Sequence, residues 1–172
     1  YTEGMLERAS QNAAEACVSL TVRQGDAQAL PFPNAAFDLI VSRNLTWNLE
    51  APETAYAEWL RVLRPGGRLV NFDGNHYRYL YSSPYAEELK QPDYTDGHNP
   101  DFMLGVDPAP INAIAANLPL SRVDRPQWDV ETLLRLGAGN VTVDVERKHF
   151  MGGTGHPISI IKSFMVSAQK EG

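Results

Sequence analysis

Residues 25–42 read GDAQALPFPNAAFDLIVS, and the organisation of the remaining chain follows from this stretch. Its first half is a polar turn followed by a short apolar segment between prolines. Its second half, residues 37–42, is an almost continuous apolar run, typical of a strand that is buried on both faces of a parallel sheet. Ligands of open α/β sheets bind beyond the carboxyl ends of the strands. The polar residues that follow each segment therefore predict a ligand-binding edge.

Helices and strands alternate on both sides of this stretch. Residues 2–16 have the apolar spacing of an amphipathic helix, and residues 18–23 alternate apolar with polar side chains, as a strand does. Pro52 is suited to the first turn of a helix that would end at the RPGG sequence of residues 64–67, before the strand-like residues 68–72. The residues expected on the buried face of this helix are Ala55, Trp59, Val62 and Leu63. A strand, a helix and a strand joined by short links predict a right-handed crossover within a parallel sheet.

The regular alternation stops between residues 74 and 126. This segment contains seven prolines and five tyrosines, and a short helix is predicted within it at residues 111–118. Long irregular segments of compact domains usually serve a function. We therefore expect a lid or substrate-binding insertion in a single domain whose core comprises residues 1–73 and 127–170.

The last third of the chain returns to regular patterns. Asp129 is suited to the N-cap or the first turn of a helix that runs to Leu136 and ends at Gly137. Residues 141–145 and 163–168 have the pattern of two strands. The glycine-rich residues 152–155 between these strands predict a flexible hairpin loop.

The composition excludes several functional classes. The net charge of −6 argues against non-specific binding of nucleic acid or of an anionic membrane, since both require clustered Lys and Arg. No apolar run approaches the ~20 residues that span a bilayer. The single cysteine, Cys17, cannot form an internal disulfide, and the four histidines lack the spacing of metal ligands. We expect a soluble, cytoplasmic domain that has no metal site and binds neither nucleic acid nor membrane.

Three short motifs carry a family resemblance. GDAxxLPF begins at Gly25, FDLIV at Phe37 and LRVLRPGGRL at Leu60. In this order and spacing, the motifs resemble class I S-adenosylmethionine-dependent methyltransferases, and most closely the small-molecule branch related to quinone-biosynthesis enzymes. The resemblance covers roughly residues 1–73. It implies a Rossmann-like α/β sheet ending in an antiparallel hairpin formed by the last two predicted strands, with S-adenosylmethionine as cofactor and a small molecule as substrate.

The resemblance also implies a set of cofactor-binding residues. Asp26 would accept a hydrogen bond from the adenine amine, as an ionised carboxylate at a loop tip can, while the Ala27 amide would face the ring. Trp47 would form a wall of the methyl-transfer site. The residues expected near the methionine end of the cofactor are Ser42, Arg43 and Asn44. The alternative interpretations are that Asp26 caps a turn, that Arg43 is a solvated loop charge and that Trp47 is a buried aromatic at the start of a helix.

Two parts of the family pattern are missing. These are the glycine-rich loop after the first strand and the acidic residue at the end of the second strand, since the helix at residues 2–16 corresponds to the one that follows that acidic residue. We therefore expect either an N-terminally incomplete fragment, which lacks a βαβ unit of roughly 30 residues or more, or a degenerate domain. Without the first strands the sheet would have an exposed edge, which a second copy of the chain could cover.

The remaining candidates concern the reaction. His76 and Tyr77 follow the strand at residues 68–72 and are the best candidates for substrate contact or a general base; the alternative is a loop histidine and a core tyrosine. The main hypothesis is methyl transfer to a small molecule by the full-length parent. The alternative is a non-catalytic interaction domain with a remnant methyltransferase fold. A nucleotide-dependent oxidoreductase is disfavoured, because the motif at Gly25 has no role in that fingerprint.

Overall fold

Four strands form one mixed sheet in the computed structural model, which describes residues 3–94, 107 and 109–172. The strands are β1 (Phe37–Arg43), β2 (Leu63–Gly74), β3 (Ala138–Met151) and β4 (Pro157–Lys170). Their spatial order is β1-β2-β4-β3, in which β1 and β2 are parallel and the other two pairs are antiparallel. The sheet is thus α/β in character and ends in an antiparallel hairpin, which confirms the predicted fold class.

Four of the five described helices fall close to the predicted positions, and the sequence did not predict the short α3. They are α1 (Glu3–Glu15), α2 (Pro52–Val62), α3 (Ser83–Glu88), α4 (Ala109–Ala115) and α5 (Gln127–Arg135). Pro52 opens α2, and the helix ends where Leu63 adopts an extended conformation. Asp129 lies in the first turn of α5. Short 3-10 turns at Thr46–Asn48, Arg78–Leu80 and Pro119–Ser121 connect these elements.

The hydrophobic core lies between α2, α5 and one face of the sheet. Tyr56 and Trp59 of α2 are buried, and their rings meet edge to face with centroids 5.4 Å apart. Leu69 of β2 and Leu133 of α5 are fully buried in the same cluster. Ala55, Trp59 and Val62 are buried as predicted for α2, whereas Leu63 is buried as the first residue of β2 and does not belong to the helix.

The opposite face of β1 is exposed, so the expectation of a strand buried on both faces is wrong. Leu39 is 54% and Val41 is 60% exposed. Strand β1 has one neighbour, β2, and none of the described helices packs over these two side chains. The apolar run therefore marks an edge strand with one open face.

Residues 18–23 do not form the predicted strand. They have no regular secondary structure, and most of them are exposed. Backbone N–H and C=O groups form a strand only where a neighbouring strand pairs with them. The described residues offer no such neighbour, and none of the residues of α1, which precedes this segment, is buried.

Side-chain hydrogen bonds hold the irregular segment together and join it to the hairpin loop. The Tyr79 hydroxyl donates to Asn112 Oδ1 at 2.6 Å, and the Tyr81 hydroxyl donates to the Ala116 carbonyl at 2.8 Å. The Glu87 carboxylate on α3 accepts the backbone N–H of Gly153 in the β3–β4 hairpin loop at 2.9 Å. Residues 95–106 and 108 of the predicted insertion lie outside the described residues.

Candidate functional site

Helix α2 fixes the loop of residues 25–33 in place. The indole Nε1 of Trp59 donates to the Ala27 carbonyl at 2.9 Å, and the Glu58 carboxylate accepts the Leu30 N–H at 2.8 Å. Arg61 donates to the Phe32 carbonyl at 2.9 Å, and its hydrogen bond to Glu58 lowers the pKa of that carboxyl group. The loop therefore owes its position to the helix that follows β1; Leu30 and Phe32 are half-buried, while Pro31 between them is exposed.

Asp26 forms a local turn at the tip of this loop. Its Oδ1 accepts the backbone N–H of Gln28 at 2.9 Å, which is the Asx-turn geometry typical of aspartate in loops. The side-chain amide of Gln28 in turn accepts the Ala51 N–H at 2.7 Å through its oxygen. Asp26 is exposed, and its Oδ2 has no hydrogen-bond partner among the described residues. The turn thus uses one of the two carboxylate oxygens.

A cavity of about 420 Å³ runs along the open edge of β1. We call it the edge cavity; it is lined by Ala27, Leu30, Phe32, Phe37, Leu39, Ile40, Val41, Ser42, Arg43, Leu45 and Trp59. Ser42 is buried, and its hydroxyl has no hydrogen-bond partner within the described part of the chain. A buried hydroxyl without a partner is unfavourable, so this end of the edge cavity is suited to a polar ligand atom or a water.

A second cavity, of about 490 Å³, lies on the sheet face beside the carboxyl ends of β1 and β2. We call it the face cavity; Arg43, Asn44, Phe72 and Met165 line it together with the acidic Asp144 and Glu146. Arg43 lies at the border of both cavities. Its guanidinium has no ion-pair partner among the residues that the structure describes, so it is available to an anionic group of a ligand.

Trp47, His76, Tyr77 and Tyr79 form an aromatic cluster just beyond the strand ends. The Trp47 ring lies 5.1 Å from His76 and 5.3 Å from Tyr77, centroid to centroid, and Tyr77 lies 5.8 Å from Tyr79. Burial raises the pKa of the phenols of Tyr77 and Tyr79. At neutral pH both tyrosines therefore donate a hydrogen bond or offer a ring face, and neither supplies a phenolate base.

Asn44 connects β1 to this cluster. Its N–H donates to the Phe72 carbonyl of β2 at 2.9 Å, and its own carbonyl accepts the indole Nε1 of Trp47 at 3.1 Å. Asn44 has a positive φ of 50°, a conformation that asparagine adopts more readily than most residues. The chain thereby turns sharply after β1 and brings Trp47 against His76.

Below the aromatic cluster lies a buried charge cluster that the sequence reasoning did not anticipate. Arg125 donates to Asp73 Oδ2 at 2.8 Å and to the two oxygens of Asp129 at 2.9 and 2.6 Å. All three side chains are at most 1% exposed. Burial opposes the charged form of Arg125, but attraction to Asp129 and Asp73 outweighs it and raises its pKa above the ordinary value.

Further polar groups extend this charge cluster into the core. The Tyr56 hydroxyl donates to Asp129 Oδ1 at 2.5 Å and accepts the side-chain N–H of Asn71 at 2.9 Å. Asn71 also donates to the Thr46 hydroxyl at 2.9 Å. Burial, reinforced by the charge of Asp129, raises the pKa of Tyr56. The i, i+4 spacing of Arg125 and Asp129 is the one sequence signal that pointed to part of this network.

The structure brings the predicted site residues into two groups. Ala27, Ser42 and Arg43 line the edge cavity, and Trp47, His76 and Tyr77 form the aromatic cluster. Asn44 lies between the groups, and Asp26 lies at the loop tip outside the lining of the edge cavity. Within the described ranges, no three His, Cys, Asp or Glu side chains come close enough to hold a metal ion. No helix in those ranges has the length and apolar character needed to cross a membrane.

The amino-terminal part of the chain is similar to known proteins. Residues 1–71 match the family model described as a methyltransferase domain. Over 70 residues the chain is 41% identical to a demethylmenaquinone methyltransferase of Deinococcus radiodurans, a match that covers 41% of this chain and 29% of that protein. The chain spans about a third of the length of the curated relatives that it matches.

Solved structures share the fold over almost the whole chain. The YcgJ protein of Bacillus subtilis superposes with a TM-score of 0.58 at 20% identity, covering 99% of this chain and 80% of that one. A SAM-dependent methyltransferase of Aquifex aeolicus superposes with a TM-score of 0.53 at 16% identity, covering 98% of this chain and 65% of that one. These likenesses confirm the Rossmann-like methyltransferase fold that the three sequence motifs predicted.

Proposed function

We propose that the chain belongs to the class I S-adenosylmethionine-dependent methyltransferases and forms part of an enzyme that methylates a small molecule; the match of residues 1–71 to a methyltransferase domain and the fold shared with solved structures support this proposal. The observation that carries the proposal is the carboxyl end of β1, where the edge cavity reaches Ser42 and Arg43; among the described residues the buried Ser42 hydroxyl has no hydrogen-bond partner and the Arg43 guanidinium has no ion-pair partner. The carboxyl ends of parallel strands are where ligands of this sheet type bind.

The residues of the edge cavity fit S-adenosylmethionine. Leu30, Leu45 and Trp59 provide apolar walls suited to the adenine ring, and the free Oδ2 of Asp26 at the adjoining loop tip can accept the hydrogen bond of an exocyclic amine. The Ala27 amide would face the ring. The residues that would hold the methionine end are Ser42, Arg43 and Asn44. Arg43 suits the methionine carboxylate, because charge-assisted hydrogen bonds to carboxylates are the stronger ones.

In this reaction the protein contributes mainly the alignment of the acceptor with the methyl group. When bound, the cofactor would supply an electrophilic methyl group, carried on its sulfonium, to the acceptor. Holding the acceptor in line with this methyl group is an entropic and orientational gain. Trp47 and Tyr77 provide two ring faces against which a planar or apolar acceptor can lie, and His76 is the candidate base.

The same proposal covers the localisation of the enzyme, its remaining cofactor-binding motifs, the covering of β1 and the class of acceptor. We expect a cytoplasmic enzyme whose complete polypeptide contains a glycine-rich loop and an acidic residue for the ribose. The exposed Leu39 and Val41 on β1 would be covered in the working protein, by further parts of the same polypeptide or by a second copy. The acceptor is a small molecule, since the net charge of −6 gives no support to a nucleic-acid substrate.

Calorimetric titration of S-adenosylhomocysteine into the protein expressed from its complete reading frame tests the proposal. We expect saturable binding that Arg43→Met weakens at least about tenfold, because a hydrogen bond to a charged group contributes roughly 1.5–3 kcal/mol. Arg64→Met is the matched control. Arg64 pairs with Asp38 at 2.6 Å on the surface at the start of β2, and its loss should leave the affinity unchanged.

Two results would contradict the cofactor assignment. The first is the absence of both heat and a thermal shift with S-adenosylhomocysteine, since any ligand of the native state must stabilise it. The second is an equal loss of affinity in both arginine variants. The first result would favour the alternative of a non-catalytic interaction domain, for which the open apolar edge of β1 is the supporting observation, and the second would remove Arg43 from the cofactor-binding residues.

A further inference from the structure

The buried charge cluster contains one carboxylate more than its arginine needs. Arg125 already donates to both oxygens of Asp129, at 2.9 and 2.6 Å, and that pair alone would be neutral. Asp73 adds a second, fully buried carboxylate, so two carboxylates share one guanidinium and the ionised cluster sums to −1. An extra buried charge is costly unless further donors compensate it. The other contacts of Asp73 therefore indicate what this carboxylate does.

Two backbone N–H groups donate to the Asp73 carboxylate. Its Oδ1 accepts the N–H of Gly74 at 2.9 Å, and its Oδ2 accepts the N–H of Trp47 at 3.0 Å. Trp47 is the middle residue of the 3-10 turn Thr46–Asn48, and the first N–H groups of a helical turn have no partner within it. Leu45, the N-cap residue of this turn, provides no side-chain cap. The Asp73 carboxylate on β2 takes the place of that local cap.

Arg125 connects this contact to the two ends of the irregular segment. The segment begins at residue 74, directly after Asp73, and Arg125 lies one position before its end at residue 126. The ion pair of 2.8 Å between Asp73 and Arg125 therefore closes the segment at its base. Asn75 adds a second closing contact, since its buried side-chain N–H donates to the Arg125 carbonyl at 3.1 Å. The Trp47 turn and the base of the irregular segment thus share one carboxylate.

We infer that Asp73 is a positioning residue for Trp47, and that its ion pair with Arg125 links the orientation of this ring to the closed base of the irregular segment. The inference rests on the proposed function, in which Trp47 is a wall of the methyl-transfer site. The Asp73 carboxylate fixes the Trp47 backbone, while the Asn44 carbonyl fixes the indole by accepting its Nε1–H at 3.1 Å. The ring is thereby held 5.3 Å from that of Tyr77, the second ring against which an acceptor can lie.

A positioning role also explains why the cluster keeps its costly second carboxylate. Asp129 alone would neutralise Arg125, but none of its hydrogen bonds reaches the Trp47 turn. Hydrogen bonds to an ionised acceptor are stronger than those between neutral groups, so Asp73 holds the Trp47 N–H more firmly than a neutral cap would. Fixing the wall before the acceptor arrives reduces the ordering that alignment requires.

Two variants that each leave a neutral pair with Arg125 test the inference. Asp73→Ala leaves the pair with Asp129, and Asp129→Ala leaves the pair with Asp73, but only Asp73→Ala removes the acceptor of the Trp47 N–H. Amide hydrogen exchange is followed by NMR in the protein expressed from its complete reading frame, with the amide of buried Leu69 on β2 reporting global unfolding. In Asp73→Ala we expect the Trp47 amide to accelerate at least about tenfold more than that of Leu69, and in Asp129→Ala no more than that of Leu69.

The contact between the two rings provides a second readout. Nuclear Overhauser effects between Trp47 and Tyr77 should be lost in Asp73→Ala and persist in Asp129→Ala. Asp73→Asn keeps an oxygen that can accept the Trp47 N–H and should restore both the slow exchange and the ring contact.

Three results would overturn the inference: unchanged exchange and ring contact in Asp73→Ala, equal changes in the two alanine variants, or no recovery in Asp73→Asn. If Asp73→Ala does not fold, the wild type decides, since a Trp47 amide that exchanges as fast as an unprotected amide would equally overturn it. All spectra are recorded without cofactor, so failure of the positioning role and failure of S-adenosylhomocysteine binding are distinguishable.

Discussion

Replacing Arg125 by methionine should destabilise the protein by about 3–5 kcal/mol, the usual cost of removing one partner from a buried ion pair. The substitution keeps most of the side-chain volume but removes the guanidinium that serves two buried carboxylates. Each carboxylate loses the guanidinium but keeps at least one other hydrogen-bond donor. Asp73 retains the N–H donors of Trp47 and Gly74, and Asp129 retains the Tyr56 hydroxyl. We therefore expect the cost of one broken buried pair, and not the sum of two.

Urea unfolding followed by tryptophan fluorescence measures this cost. With a slope of about 2 kcal/mol per molar urea, the loss corresponds to a midpoint about 1.5–2.5 M lower. The matched control is Arg135→Met, since Arg135, the last residue of α5, pairs with Glu53 at the surface, where both side chains are at least half exposed. An exposed pair of this kind contributes about 0–1 kcal/mol.

Equal midpoints for the two arginine variants would refute the reasoning, because burial would then make no difference to the ion pair.

A double variant provides a second check. Arg125→Met combined with Asp129→Asn removes one of the two carboxylates left without the arginine. We expect it to be more stable than Arg125→Met alone, with an interaction energy of at least about 1 kcal/mol. A double variant that loses the sum of the single losses would show that these charges do not interact.

Two further predictions concern the core and the sheet. Burial, with the charge of Asp129, raises the pKa of Tyr56 above the value of about 10 that it has when unfolded, so its contribution to stability is complete below pH ~10 and is lost as the pH rises further. Urea titrations from about pH 9 to 11 should therefore show a steeper loss for the wild type than for Tyr56→Phe; parallel curves would contradict the assignment. Gly67→Ala would place a Cβ 2.8 Å from the Arg64 carbonyl oxygen and should lower the free energy of unfolding by about 1–3 kcal/mol. Gly25→Ala, which meets nothing within 4 Å, should change it by no more than about 0.5 kcal/mol, and equal effects of the two would argue against this contact.

The sequence predicted the elements well where local pattern decides them. Pro52 begins α2, and the apolar runs around residues 40 and 70 form the parallel pair β1 and β2. Pattern could not decide which faces are covered. Residues 18–23 have the alternation of a strand and β1 has the composition of an interior strand, yet pairing and burial depend on neighbours that lie elsewhere in the chain or are absent from the described residues.

Sequence reasoning could identify only part of the candidate site, because local pattern does not show which distant residues meet in the fold. Ser42, Arg43 and Trp47 were accessible to sequence reasoning because they follow a strand and belong to a local motif. The pair of Asp73 and Arg125 was not, since 52 positions separate the two residues and nothing local connects them. Asp129 was expected as an N-cap or first-turn acid and does lie in the first turn, but its carboxylate binds Arg125 and Tyr56 in the core.

The position of the charge cluster follows from the way β2 changes character along its length. Its buried, helix-facing side chains are Leu69, then Asn71, then Asp73, so the face becomes steadily more polar towards the carboxyl end. Strand β1 becomes polar at the same level of the sheet: Ile40 lies opposite Leu69, and Ser42 lies opposite Asn71. The apolar half of this face packs in the core. The polar half needs hydrogen-bond partners, since buried polar atoms are unfavourable without them, and Arg125 and Asp129 provide these partners. The same strand pair therefore builds both core and site, and a substitution that makes Asn71 or Asp73 apolar should disturb the aromatic cluster through Thr46 and Trp47 before it loosens the sheet.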